Sequence, residues 1–245
     1  MNEEMYGGIP TPQCFQDLAD VLAAGIDRVI LYGPPGTGKT FSGLTAGNVA
    51  NGAERLICTE DMTNADVSGA FMPNEQGGFQ FLPGAALRAW MNGSRLVIDE
   101  IDKAGGDVFA TLLAFTDTNE SASFTRPDNG EVVRPQPGFS VVMTSNIEHP
   151  DELPIALRDR FPVAIKIDAP HPAALMSLPE ELRMLAATIV ASKPGERASL
   201  RAFYAFNQLR TTVGGERAAT MVFGHLAPAI IQAVALGTLT PEFSL

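Results

Sequence analysis

An α/β fold built on a mostly parallel sheet is what the sequence predicts, and three observations predict it. Short apolar runs alternate with helical patterns, the arrangement of crossover units. The first run ends in a glycine-rich turn that opens a helix, and the third ends in two adjacent carboxylates. In chain order, strands are expected at 28–32, 55–59, 96–99, 139–144 and 163–167. These runs are rich in Val, Ile and Leu, as strands buried on both faces are. Helices fit between them at 12–24, 40–51, 84–91 and 106–117. Two insertions break the alternation. Residues 69–83 alternate apolar positions around Gly77-Gly78, and residues 123–133 carry Asp128-Asn129-Gly130, so both read as hairpins. The alternation stops at Pro170-His171-Pro172, and from Pro179 the pattern is helical, at 180–192, 200–213 and 216–224. A domain boundary is therefore expected near residue 170, separating an α/β core (1–170) from a helical lid (171–245).

Composition narrows the classes of function. The chain has 245 residues, enough for one large α/β domain or a core with a small satellite. It holds 17 basic and 28 acidic residues, a net charge of −11, with 45% hydrophobic and 18% charged residues. That excludes a disordered chain and argues against a protein that coats nucleic acid, which draws on clustered Lys and Arg. The charge is uneven: residues 1–125 hold 6 basic and 16 acidic side chains, residues 126–245 hold 11 and 12. Two cysteines, Cys14 and Cys58, cannot form a disulfide framework, and Cys58 sits in a strand pattern as a core residue would. No run approaches the ~18 consecutive apolar residues of a membrane span, and the acidic start MNEEMYGG is no secretory signal. A soluble, cytoplasmic protein without a membrane partner is expected. His149, His171 and His225 are scattered and lack a metal-ligand spacing. Trp90 and the phenylalanines around the hairpins read as packing residues.

Gly33-Pro34-Pro35-Gly36-Thr37-Gly38-Lys39-Thr40 matches G-x-x-x-x-G-K-[ST]. The glycines let backbone N–H groups curl around a phosphate, and the helix N-terminus adds its positive end. Lys39 is placed to reach β- and γ-phosphates, and the Thr40 hydroxyl to hold Mg²⁺. A merely decorative turn is the bland alternative, and the strand before and helix after argue against it. Leu96-Val97-Ile98-Asp99-Glu100 brings a buried strand to its C-terminal edge, where ligands bind in open parallel sheets. Asp99 can hold the metal shell and Glu100 can polarise a water for attack on the γ-phosphate, which points to hydrolysis. Asn146 ends the next core strand and could orient that water. By itself it serves equally well as a turn cap.

With these residues in view, the chain resembles the AAA+ ATPases over nearly all its length, and among them the MoxR/CbbQ/NorQ-like group. GPPGTGKT at 33–40 is similar to that family's phosphate loop, LVIDEID at 96–102 to its hydrolytic strand, and VVMTSN at 141–146 to its sensor 1 strand. The two hairpins, with LPIALRDRF at 153–161, narrow the resemblance to the MoxR-like group. The resemblance implies an AAA+ P-loop NTPase core with a five-stranded parallel sheet, hairpin insertions and a small C-terminal helical lid. It implies an ATPase that uses ATP and Mg²⁺ and assembles into a homo-oligomeric ring of six. Arg160, in a segment read as a Pro-bounded loop from Leu153 to Pro162, would then be an arginine finger completing a neighbour's site. Arg158 is the fallback, and a salt bridge of either arginine to Asp159 or Glu152 is the structural alternative. Ala198-Ser199-Leu200-Arg201 resembles the start of the sensor 2 helix, with Ser199 as cap and Arg201 as sensor, while Arg210 and Arg217 are rivals. Such proteins remodel a client and often work with a partner bearing a von Willebrand A domain.

Two functions compete: an ATP-driven remodelling chaperone and a nucleic-acid motor of the helicase or restriction NTPase type. The second hairpin carries Arg126 and Arg134 against Asp128 and Glu131. A hairpin that tracks DNA should be basic, so the chaperone reading is favoured.

Overall fold

The computed structural model describes residues 5, 6 and 9–236. The rest of the acidic start and residues 237–245 of the expected lid lie outside the described residues. The chain forms two compact units. One comprises Gln16–Gly33 and Lys39–Lys166; the other comprises the described residues up to Phe15, the turn Pro34–Gly38, and the described residues from Ile167.

Helix α1 (Gln13–Ala23) leads into the sheet unit, which runs β1 (Arg28–Tyr32), α2 (Lys39–Thr45), β2 (Ala53–Ile57), α3 (Asn64–Ser68) and α4 (Ala85–Asn92). It continues as β3 (Arg95–Asp99), α5 (Gly106–Phe115), β4 (Ser140–Ser145), α6 (Ile155–Arg160) and β5 (Val163–Lys166). All five strands are parallel, in the spatial order β5-β1-β4-β3-β2. The central strands are buried on both faces, as at Val29, Ile30, Leu31, Leu96, Val97, Ile98, Val141, Val142 and Met143, because helices cover both sides of the sheet. Register decides where function gathers. Ser145 pairs with Tyr32 and Met143 with Ile98, so β1, β4 and β3 end level. Gly33, Asn146 and Asp99-Glu100 therefore leave the sheet along one edge.

Both expected hairpins form. Gly69–Pro73 pairs with Phe79–Pro83, and Phe124–Thr125 with Val132–Val133. Three expectations need correction. Helix α2 stops at Thr45 rather than continuing to residue 51. Gly47 takes a left-handed φ of +64°, and the buried Arg95 of β3 donates to the carbonyls of Gly43 (3.1 Å) and Ala46 (2.6 Å), capping the helix end. The segment from Leu153 to Pro162 is not a loop: residues 155–160 are helical, with Pro154 at the N-cap, where a missing N–H costs nothing. The first hairpin's phenylalanines do not all pack. Phe71 is 48% and Phe79 71% exposed, because among the described residues no layer faces that side of the two-stranded ribbon.

Trp90 does pack. It is fully buried against Phe115 (ring centroids 4.5 Å apart) and Phe139 (6.2 Å), and its indole N–H donates to the Phe115 carbonyl at 3.2 Å. Trp90→Ala is expected to cost ~3–5 kcal/mol, read as a lower denaturant midpoint in equilibrium unfolding. A shift of under ~1 kcal/mol would contradict this packing.

The helical unit contains α7 (Pro172–Leu175), α8 (Glu180–Val190), α9 (Leu200–Val213), α10 (Gly215–Phe223) and α11 (Ala227–Leu236) around Leu182, Leu185, Phe203, Phe206, Phe223 and Ile230. By length and composition, Gly215–Ala235 is apolar enough to cross a membrane. It includes a 3₁₀ turn at Gly224–Leu226 and supplies Ala218, Ala219, Phe223, Ala227 and Ile230 to this core.

Candidate active site

The level strand ends of the sheet unit gather the candidate residues. Lys39 opens α2 with its side chain buried, and its ammonium donates to the Gly33 carbonyl at 2.8 Å and to Asn146 Oδ1 at 2.9 Å. Thr40 Oγ1 donates to Asp99 Oδ1 at 2.8 Å. Asn146 Nδ2 in turn donates to Glu100 Oε1 at 3.3 Å. Five of the residues singled out from sequence thus fall in two hydrogen-bonded groups, Lys39–Asn146–Glu100 and Thr40–Asp99, which Thr144 joins into one cluster. Asn146 belongs to it by geometry, which a turn cap alone would not require.

Sequence reasoning missed three members. Thr144 Oγ1 donates to Asp99 Oδ1 at 2.5 Å and accepts from the Glu100 backbone N–H at 3.2 Å. Its signal was available: it stands next to last on β4, two residues before Asn146, which follows the strand end. Arg55 of β2 forms an ion pair with Asp99 Oδ2. Lys103 pairs with Glu100 Oε2 at 2.6 Å, three residues on. Neither pairing is visible before the chain is folded.

Electrostatics follow from these contacts. Burial by itself would raise the Asp99 carboxyl, but hydrogen bonds from Thr144, Arg55 and Thr40 outweigh it and hold the group below its ordinary value. Asp99 is therefore a buried anion at neutral pH, suited to a hard cation. Cys58, fully buried beside Asp102, Asp99 and Glu100, is pushed up to about 12 by burial first and by those charges second. It stays a thiol and belongs to the core. Glu100 is the single non-glycine residue with a positive φ among the described residues (φ 57°, ψ 48°). Such a conformation costs ~1–2 kcal/mol and tends to be kept where side-chain placement matters.

Within the helical unit, the turn Pro34–Gly38 packs on the start of α9. Gly36 has φ +79°, and a Cβ on it would lie 2.8 Å from the Ser199 Cβ, so only glycine fits. Ser199 caps α9, accepting from the Ala202 N–H at 3.3 Å, and Arg201 stands in the first turn. The rival Arg210 is engaged elsewhere, with Glu181 at 2.7 Å and the Phe206 ring. Thr37 is buried and donates to the Pro34 carbonyl at 3.1 Å.

Arg158 and Arg160 lie apart from the cluster. Arg160 Nη1 donates to the Ala156 carbonyl at 3.0 Å, and its Nη2 is 3.8 Å from Asp117 Oδ2. Arg158 pairs with Asp151 at 2.6 Å. Asp159 and Glu152, the partners in the alternative to a finger, are not the carboxylates used. Arg160 lines a cleft of about 470 Å³ with Asp27, Arg28, Asp117 and Asp159, next to the N-terminal ends of β1 and β5.

A five-stranded parallel sheet in the order 5-1-4-3-2, a glycine turn before a buried lysine, and a Thr–Asp pair at the next strand end define a P-loop NTPase. The AAA domain family (dynein-related subfamily) matches residues 28–161, more than half of the chain, and this chain belongs to that family. Curated relatives include uncharacterized proteins of Staphylococcus epidermidis (31% identical over 148 residues, 58% of this chain and 55% of the relative) and Staphylococcus saprophyticus (32%, with the same coverage). The match spans about half the length of those relatives. A solved structure from Cytophaga hutchinsonii, described as a candidate ATPase, covers 90% of this chain and 67% of its own at 19% identity and a TM-score of 0.46.

Proposed function

We propose that this protein is an ATP-hydrolysing, MoxR-like AAA+ chaperone that works in the cytoplasm as a homo-oligomeric ring, remodelling a partner protein. The observation that carries the ATPase part is the cluster joining Lys39, Thr40, Asp99, Glu100 and Asn146. The residues fit both groups the reaction needs. Gly33, Gly36 and Gly38 have φ of +125°, +79° and +100°, conformations that side chains rarely adopt and that let successive backbone N–H groups curl around an anion. The Thr40 hydroxyl and Asp99 carboxylate are hard oxygen donors 2.8 Å apart, the chemistry Mg²⁺ takes. Bound there, Mg²⁺ supplies charge neutralisation at the β- and γ-phosphate oxygens.

The chain's own groups do the rest. Lys39 binds and orients the β- and γ-phosphates. Glu100 accepts the proton of the attacking water, and Asn146, bonded to both Lys39 and Glu100, fixes the water's position. Arg201, in the first turn of the helix that packs on Gly36, is the sensor 2 candidate, where the helix N-terminus adds positive field. Arg160 is the finger candidate acting on a neighbouring copy.

For the partner, the first hairpin supports protein rather than nucleic acid. It exposes Phe71, Met72, Phe79 and Leu82, an apolar surface suited to a polypeptide client or to a partner with a von Willebrand A domain. On the second hairpin, Arg126 is held by Asp128 at 2.6 Å and stacks over Phe81, so its charge is spent within the fold. That disfavours the motor reading.

Lys39→Ala tests the site. Removing the cation is expected to weaken ATP binding by ~100-fold or more, measured by titration calorimetry. Affinity equal to wild type would reject the phosphate-site assignment. DNA-stimulated turnover at physiological salt would reject the chaperone reading in favour of the motor.

A further inference from the structure

We infer that Arg55 is a resident counter-cation of Asp99 that competes with the divalent metal for that carboxylate, so that Arg55 sets the Mg²⁺ requirement of nucleotide binding. The inference rests on the nucleotide-site reading above and deepens it. Both Asp99 oxygens are engaged: Thr40 and Thr144 donate to Oδ1, and the Arg55 guanidinium holds Oδ2. The three donors differ in kind. Two are neutral hydroxyls, one of them the other proposed metal ligand, and either can rotate to offer a lone pair instead of its proton. Arg55 cannot: it has donors only, and it holds a full positive charge on Oδ2, beside the Oδ1–Thr40 pair that a second cation would take.

Its placement suits a group that moves. The Asp99 side chain is 8% exposed, whereas that of Arg55 is 44% exposed. Arg55 stands on β2, the edge strand of the sheet, and is not locked into the core. It also lines an open groove between β2 and the first hairpin, together with Asp61, Met62, Asp66 and Arg88. Asp66 is committed to capping α3 through the Thr63 N–H, and Arg88 to Glu54 at 2.8 Å. Asp61 is the groove carboxylate able to receive the guanidinium when it leaves Asp99. The exchange trades one ion pair for another and keeps a charge balance at the strand ends whether or not metal is bound.

The test replaces Arg55 with Gln, and separately with Lys, in the full chain. Two quantities are read: the free Mg²⁺ that half-saturates binding of a fluorescent ATP analogue, and the melting temperature with and without Mg²⁺ alone. Arg55→Gln should lower the half-saturating Mg²⁺ by ~10-fold, and Arg55→Lys, which keeps the charge, should stay within ~3-fold of wild type. Without metal the Gln variant should melt below wild type, because Asp99 is left without its counter-charge, and Mg²⁺ alone should restore more of its stability than it gives wild type. An unchanged or raised Mg²⁺ requirement in the Gln variant overturns the inference; a raised one would mean that Arg55 assists the phosphates directly. Should wild type bind the analogue at no Mg²⁺ concentration, the nucleotide reading falls. Should it bind normally while the Gln variant shows no shift, only the role of Arg55 falls.

Discussion

Glu100→Gln is expected to retain ATP binding and lose turnover by ~10²–10⁴-fold, the usual share of a general base. The amide has the shape of the carboxylate, so its oxygen can still accept from Lys103, which bonds Oε2 at 2.6 Å, and the αL turn at residue 100 need not change. What the amide lacks is the capacity to take a proton from water. Lys103 competes for the Glu100 carboxylate; that contact pushes the Lys103 ammonium up, first through the hydrogen bond and then through charge. The experiment measures ATP affinity by calorimetry and phosphate release under single-turnover conditions. Hydrolysis at the wild-type rate would move the base elsewhere; loss of binding together with hydrolysis would mean that Glu100 is structural. A variant that binds ATP without releasing it would also be the natural bait for capturing the client.

How much of this was legible beforehand depends on how local the determinants are. Strands β1, β3 and β4 announce themselves because burial on both faces demands unbroken apolar runs, and the two hairpins do so through their turn residues. The phosphate loop was legible for the same reason, since all of its chemistry lies within eight consecutive residues, Gly33 to Thr40. The misses are tertiary. Helix α2 ends where it does partly because of Arg95, 52 positions from Gly43, whose carbonyl it caps. Arg55 reaches Asp99 only because β2 docks beside β3, a pairing no local pattern specifies. Helix α6 is hidden in the sequence by the prolines at 154 and 162, which bracket it as they would a loop. Proline forbids a helix interior and not the residue that starts one, and six residues fit between the two.

That correction sharpens the last expected result, in which Arg160→Ala inactivates a ring in trans. Arg160 ends α6, just before Phe161, Pro162 and β5, and its guanidinium lies beside Asp117 and Arg28. Arg28 opens β1 and Gly33 follows its other end, so one five-residue strand separates Arg160 from the phosphate loop of its own chain. That is roughly 16 Å, too far for an arginine to bridge to its own γ-phosphate. A copy docked against this edge could receive the side chain instead. Arg160 is the better finger of the two candidates: its Nη2 has a carboxylate only at 3.8 Å, whereas Arg158 is bound to Asp151 at 2.6 Å. Extending Arg160 into a neighbour therefore gives up little, and it would bring positive charge to a γ-phosphate in the transition state, an effect worth ~10³–10⁵ in rate where arginine fingers act. The measurement mixes Arg160→Ala and Lys39→Ala chains, each inactive alone. Co-assembly creates interfaces that pair an intact phosphate loop with an intact finger, so ATPase activity should partly return, in proportion to the number of such interfaces. Absence of recovery in rings shown to be mixed would count against a finger in trans, and full activity in a strictly monomeric preparation would show that the site is complete without a neighbour.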